Sequence, residues 1–203
     1  MEPIERARRL DSVENAKKLY DEWAEQYDDD VFEQAKVVGS DRIADLLADQ
    51  LIEQQADRST PIVDLGCGTG AVGRRLAEHG YTDLTGIDLS PNMLAVAERT
   101  GAYRSLIEAN LNQPVDLTRQ YAASISAGTF TTGHVPASSA PHLLTMLRPQ
   151  AVIAWVIAPT LWPDFQSTLT TAGVEIRSST AESIRQGSDD HSHMLIAVLG
   201  QGD

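Results

Sequence analysis

Three kinds of residue in this chain of 203 could do chemistry, and each sits in a pattern. Gly66, Gly68 and Gly70 fall at alternate positions directly after the apolar run Ile62-Val63-Asp64-Leu65. Glycines so placed let the main chain take positive φ and let a ligand approach with no Cβ in the way. Asp64 stands just before them, and Asp88 lies about twenty residues on, where a dinucleotide fingerprint expects its ribose carboxylate. An ionised carboxylate accepts hydrogen bonds from two neighbouring ribose hydroxyls, a task that a neutral side chain does less well. His134 is the one near-neutral titrating group of the loop Gly128–Pro136. It is a candidate for taking a proton from a substrate, although a lone histidine is more often structural or merely lining. Asp189-Asp190-His191-Ser192-His193 has the residue types of a cation site, but a solvated loop between edge strands accounts for it better, and no metal is expected. The sequence shows no Walker loop, Cys/His zinc spacing, nucleophile elbow or internal repeat.

The elements that must position these residues are legible from hydrophobic period and turn chemistry. Ile62 to Leu65 reads as a strand buried on both faces, and Val72, Leu76 and Ala77 recur at helical spacing up to a C-cap at Gly80. Strand, glycine turn and helix form the first βα unit of a nucleotide-binding type of fold. Gly66, Gly68 and Ala71 also satisfy G-x-G-x-x-G/A, so a nicotinamide (NAD) oxidoreductase stays open at this point. A second strand ends at Asp88, and Ser90 caps a helix with Pro91 at its first position and Met93, Leu94 and Ala97 inward. Residues 104–111 and 121–127 read as the next strands. A helix from Ser138 or Ser139 to Leu147 then leads through Arg148-Pro149-Gln150 into a central strand at 151–157. A helix over 159–172 and strands at 174–180 and 193–199 complete an α/β, Rossmann-like, doubly wound core.

Residues 1–58 read as an N-terminal helical cap within the same domain as the core at 59–203. Val13, Ala16, Tyr20, Trp23 and Tyr27 step by three and four along one helix face until Asp28-Asp29-Asp30 interrupts them. Such a stripe serves either packing or a ligand. Ser40 is the expected cap of a second helix whose inner face holds Ile43, Leu46, Leu47 and Leu51.

Composition narrows the classes. Hydrophobic residues make up 42% of the chain, which suits one domain. The net charge is −13, and a surface this acidic argues against nucleic acid as a partner. No stretch reaches the length of a membrane span, and Met1-Glu2-Pro3-Ile4-Glu5-Arg6 is too charged for a signal peptide. Cys67 is the only cysteine, which fits a reducing compartment, so the cytoplasm is expected.

The string Val63-Asp64-Leu65-Gly66-Cys67-Gly68-Thr69-Gly70 resembles the first motif of class I S-adenosylmethionine (SAM) methyltransferases of the type 11/25 kind. Leu19 to Asp28 resembles the N-terminal signature of small-molecule methyltransferases, and Ser90-Pro91-Asn92-Met93-Leu94 resembles the family's second turn. Ser126 to Pro136 is similar to the methyltransferase-like proteins named after the Williams–Beuren syndrome region. The resemblance implies a seven-stranded mixed sheet, SAM as cofactor, S-adenosylhomocysteine (SAH) as product, and a small-molecule acceptor met by a monomer or homodimer. It places the ribose on Asp88, with Leu89 and Met93 beside the ribose and adenine. Asn110, where the family usually has Asp, and Leu111 fall at the adenine. Ala127 and Gly128 would lie toward the methyl group. Main-chain N–H groups from Gly66 through Cys67 and Gly68 to Gly70 would hold the amino acid carboxylate, with Asp64 as organiser or as partner to the amino group. Tyr20, Trp23 and Tyr27 would cover the sulfonium, which suits aromatic faces. Transfer then needs positioning above all, and a base only if the acceptor is protonated. Asn110 and Gln150 depart from the family pattern and leave open a protein that binds SAM without transferring its methyl group.

Overall fold

The apolar runs and helical stripes sort into three layers in a computed structural model that describes residues 3–201. At the centre lies β1 (Ile62–Leu65), buried at every position and parallel to β2 (Leu84–Asp88) on one side and β4 (Tyr121–Phe130) on the other. β3 (Ser105–Glu108) follows β2 in parallel, and β5 (Leu147–Ile157) follows β4. β7 (His191–Leu199) adds antiparallel to β5, and β6 (Val174–Ser183) closes that edge. The strand order is therefore β3-β2-β1-β4-β5-β7-β6, a seven-stranded mixed sheet.

Seven α-helices belong to the described residues: α1 (Pro3–Ala7), α2 (Val13–Trp23), α3 (Gly39–Glu53), α4 (Ala71–Glu78), α5 (Pro91–Arg99), α6 (Ala140–Leu144) and α7 (Trp162–Thr171). The stretch read above as one cap divides in two. Ile43, Ala44, Leu47 and Ala48 of α3 are fully buried against β4, β5 and α4, so α3 is a wall of the core. Leu46 is only partly buried. α1, α2 and a π-helical turn at Asp29–Gln34 precede that wall. Phe165 and Leu169 of α7 and Leu143 of α6 cover the opposite sheet face with Phe130 and Trp155.

Several boundaries differ from the sequence reading. α3 starts one residue before Ser40, with Val38 at the cap position. α6 stops at Leu144 and β5 begins at Leu147, earlier than expected, because Gln150 adopts a φ of +67° and lets the chain kink within the strand. That conformation suits the glycine which the resemblance would place nearby.

Three glycines surround one tyrosine. A Cβ on Gly73 would stand 2.3 Å from Tyr103 Cζ, one on Gly70 3.1 Å from Cε2, and one on Gly86 3.0 Å from Cε1. The ring lodged there donates its hydroxyl to Asp64 Oδ2 at 2.6 Å and accepts from Gly73 N at 3.1 Å. Asp64 Oδ1 is buried with no partner. Burial, and secondarily the charge of Asp88, push the Asp64 carboxyl up to about 7, against the pull of the Tyr103 bond.

Two outcomes follow from this arrangement. Gly73→Ala forces the ring off its seat and lowers unfolding stability by about 1–3 kcal/mol in urea titration, the usual cost of overpacking. The folded chain also binds the Asp64 proton more tightly than the unfolded chain does. Stability from this group is therefore full below pH 3.8 and is lost as pH rises to about 7. Asp64→Asn, which keeps an acceptor for Tyr103, should gain on the wild type over that window in urea titrations at successive pH values. Parallel profiles would remove Asp64 as the cause.

Candidate active site

Between β1 and β4 the strand order reverses, and the carboxyl ends of the parallel strands part to leave a crevice. It holds a cavity of about 720 Å³, part of it continuous with solvent. Its floor comes from residues at or just beyond the carboxyl ends of β1, β2, β3 and β4, and its roof from Val13, Ala16, Tyr20 and Tyr27 of the N-terminal segment.

The Asp88 carboxylate lines the floor. Its Oδ2 accepts from Gly68 N and its Oδ1 from Ser90 N, each at 2.9 Å, so its orientation is fixed while each oxygen keeps capacity for a ligand. Burial raises its pKa and these N–H bonds oppose the rise. At Gly68 (φ +52°) and Gly128 (φ +78°) nothing lies within 4 Å of where a Cβ would be, and both residues line the cavity. Side chains there would intrude on the space. Gly66 has a different cause: its Cβ would fall 2.0 Å from Thr129 Oγ1, which donates to Leu65 O.

The aromatic stripe serves both roles left open for it. Tyr20 and Tyr27 face the cavity, whereas Trp23 lies behind them, 4% exposed. Its ring packs on Tyr20 and Tyr27, and its Nε1 donates to Asp30 Oδ2 at 2.7 Å. The Tyr27 phenol is pushed up to about 12 by burial and by the charges of Asp88 and Asp28, so it stays protonated as a donor.

His134 also lines the cavity, and its tautomer follows from its neighbours. Nδ1 lies 3.1 Å from Thr132 O, an obligate acceptor, so Nδ1 carries the proton. Nε2 is then the acceptor for the Tyr20 hydroxyl at 2.7 Å. Burial lowers the His134 pKa, against the Thr132 bond, and the ring is neutral at neutral pH. Beyond His134 a second cavity opens, bordered by Leu10, Val13, Pro136 and Leu161 among others.

Of the fifteen residues expected at a cofactor, eleven line the first cavity: Tyr20, Tyr27, Gly66, Gly68, Asp88, Leu89, Met93, Asn110, Leu111, Ala127 and Gly128. Trp23, Asp64, Cys67 and Gly70 do not. Asp64 shares the sheet face of Ile62, under α4, where Tyr103 holds it. The Cys67 sulfur turns toward Gly86, and Gly70 makes room for Tyr103. The expected main-chain cradle also differs. Gly66 N and Cys67 N donate to Ile87 O, Gly68 N to Asp88, and Gly70 N to Cys67 O, so the protein itself uses these donors. Asn110 turns its Oδ1 onto Asn112 N at 2.9 Å, which leaves its amide N–H groups for a ligand.

Val13, Ala16, Ala109, Asn112, Thr129, Gly133 and Val135 line the cavity as well. Val13 and Ala16 belong to the stripe, and only their place over the strand ends was hidden. Gly133 (φ +83°) would set a Cβ 2.3 Å from Leu10 O, so glycine here lets the N-terminal segment lie on the loop. The Asp189–His193 residues disperse: Asp190 pairs with Arg8 and Arg185, and His193 stacks on Trp162. Among the described residues no group of three His, Cys, Asp or Glu is arranged to hold a metal.

Comparison with known proteins agrees with this geometry. Residues 62–150 match the family described as a methyltransferase domain. Human methyltransferase-like protein 27 is 35% identical over 133 residues, 63% of this chain and 53% of that protein, so the match spans about half the relative's length. Magnesium protoporphyrin IX methyltransferase from Synechocystis, solved with bound SAM, superposes with a TM-score of 0.72 at 20% identity, covering 93% of this chain and 97% of that one. The [4+2]-cyclase SpnF reaches the same score at 16% identity over 95% and 98%. The family match runs from β1 into β5 of this chain, and the superposed structures share its fold.

Proposed function

We propose that the chain binds SAM in the first cavity and catalyses transfer of its methyl group to a small molecule. The observation that carries this reading is the Asp88 carboxylate, fixed by two main-chain N–H groups and facing a cavity beside glycines whose missing Cβ atoms leave the space free. The site's charge suits the cofactor too. Among the described residues lining this cavity there is no lysine or arginine, and Asp88 lies within it. A permanent sulfonium cation is favoured there, as opposite charge in a poorly hydrated site is.

When bound, SAM supplies an activated methyl on sulfur. Asp88 would hold the ribose, Leu89 and Met93 would flank the adenine, and the Asn110 amide would face its edge. With the glycine-turn donors already engaged, the Tyr27 hydroxyl is the group we assign to the amino acid end. Tyr20 and the rest of the roof would exclude water, which otherwise competes with the acceptor. The acidic surface supports a small molecule over a nucleic acid, and the buried lone cysteine fits a cytoplasmic protein.

A dinucleotide fits less well. Close to the start of α4, where a diphosphate would sit, the protein places its own Asp28 carboxylate, which accepts from Thr69 Oγ1 and pairs with Arg74 at 3.5 Å.

Calorimetric titration tests the assignment. The wild type should bind SAM and SAH and leave NAD unbound. Asp88→Ala should weaken SAM by about 1.5–3 kcal/mol, the range for hydrogen bonds to a charged group. An unchanged SAM affinity would remove Asp88 from the site, and binding of NAD alone would overturn the cofactor.

A further inference from the structure

Val13, Asn112, Gly133 and His134 line both cavities, so the two spaces meet at these residues. The second space, about 680 Å³ with its open mouth, has an apolar frame of Leu10, Val13, Pro136 and Leu161. Its polar wall atoms are mostly turned on one another. Ser12 Oγ accepts from Asn15 N at 3.2 Å, Thr131 Oγ1 lies 2.9 Å from His134 Nδ1, and Asn112 Oδ1 accepts from Ser139 Oγ at 3.4 Å. Among the described residues lining either cavity there is no lysine or arginine, and the second contains only Asp11 and His134 as ionisable groups.

Charge therefore sorts what can enter. An anion would find no counter-charge and would meet Asp11. A cation at the junction would stand against the sulfonium of bound SAM. An uncompensated charge in such a space is costly, so a neutral molecule remains.

We propose, resting on the assignment of the first cavity to SAM, that the second cavity takes a neutral hydroxyl compound on an apolar frame, and that its hydroxyl proton leaves through Tyr20 to His134. The Tyr20 oxygen donates to Nε2 and keeps lone pairs for an acceptor O–H. Transfer forms one C–O bond and breaks one C–S bond, whose electron pair stays on sulfur. The acceptor proton passes to the Tyr20 oxygen as the proton of Tyr20 passes to Nε2. The single positive charge thus moves from sulfur to the imidazolium, which later releases a proton to solvent. Thr132 O and Thr131 Oγ1 hold Nδ1–H and steady that cation. The Tyr20 phenol is raised well above its ordinary pKa by burial and by Tyr27 and Asp88, so the two protons move together rather than through a phenolate. Tyr20 and His134 are then both catalytic residues.

The test separates binding from transfer. The SAM-saturated Tyr20→Phe variant, which keeps the sulfonium in place and the second cavity's lining intact, is titrated with 2-naphthol, 2-naphthoate and 2-naphthylmethylamine, one apolar frame carrying a neutral, an anionic and a cationic group. The naphthol should bind about tenfold or more tightly than either charged compound, a difference typical of an unpaired buried charge. Leu161→Trp should abolish naphthol binding with SAH affinity unchanged, and that affinity shows that the variant folds. With methyl-labelled SAM, label should enter neutral phenols or alcohols, and Tyr20→Phe and His134→Gln should each slow it about 100-fold, the scale of general acid–base catalysis. Charged probes binding as well as naphthol, full rates in both variants, or no label in any hydroxyl compound would overturn the proposal and leave the cofactor assignment standing. Failure of SAH itself to bind would overturn that assignment instead.

Discussion

Two carboxylates buried at the ends of adjacent strands are the constraint around which this molecule is arranged. Asp64 and Asp88 belong to neighbouring, parallel strands, and the charge of Asp88 adds to the burial that raises the Asp64 pKa. The fold answers each carboxylate differently. Asp88 receives the main chain of the glycine turn and of the next helix's cap, which presents a fixed carboxylate to the cavity. Asp64 receives one tyrosine hydroxyl and is left with an orphan oxygen. A cationic ligand in the crevice would meet the Asp88 carboxylate, which alone of the two lines the cavity.

The roof over that cavity is attached in a different manner from the wall beneath it. α3 is secured by side chains buried on the sheet, each contributing on the order of 1.5–3 kcal/mol. α2 buries Ala16, Leu19 and Trp23 and carries polar pairs along its rim. Ser90 Oγ donates to Asp21 at 2.6 Å, Asn92 to Asp21 O at 2.9 Å, Arg99 pairs with Glu25, and Lys17 reaches Leu89 O and Glu108. Exposed pairs of this kind contribute about 0–1 kcal/mol each.

Much of this was readable in the residues themselves. The glycine turn, Asp88 and the Ser90 cap were legible because backbone conformation and capping are local demands, written within a few positions. Tyr103 left no such mark. It sits in Gly101-Ala102-Tyr103-Arg104, a link with no period, and its role arises from three glycines up to thirty-three residues away in sequence. Two of those, Gly70 and Gly86, look from the sequence like parts of a ligand loop and a strand. Gly66 likewise takes its meaning from Thr129, and Gly133 from Leu10. A glycine states that a neighbour is close and leaves that neighbour unnamed. The same limit explains the cap: α2 and α3 both carry clean helical stripes, and only the sheet decides that one is wall and the other roof.

Architecture alone would not have decided the chemistry. The methyltransferase and the cyclase that superpose on this chain do so equally well, each with a TM-score of 0.72. A crevice at the strand ends is common to the fold, and what differs among such proteins is the set of groups at its open side. In this chain those groups are a roof tyrosine and a loop histidine in direct contact, brought there by an N-terminal segment that lies on Gly133. One partner belongs to α2 and the other to the loop after β4, so the pair depends on how the roof lies on that loop. Under the proposed mechanism, the base that takes the hydroxyl proton is assembled where the roof excludes water from the methyl group.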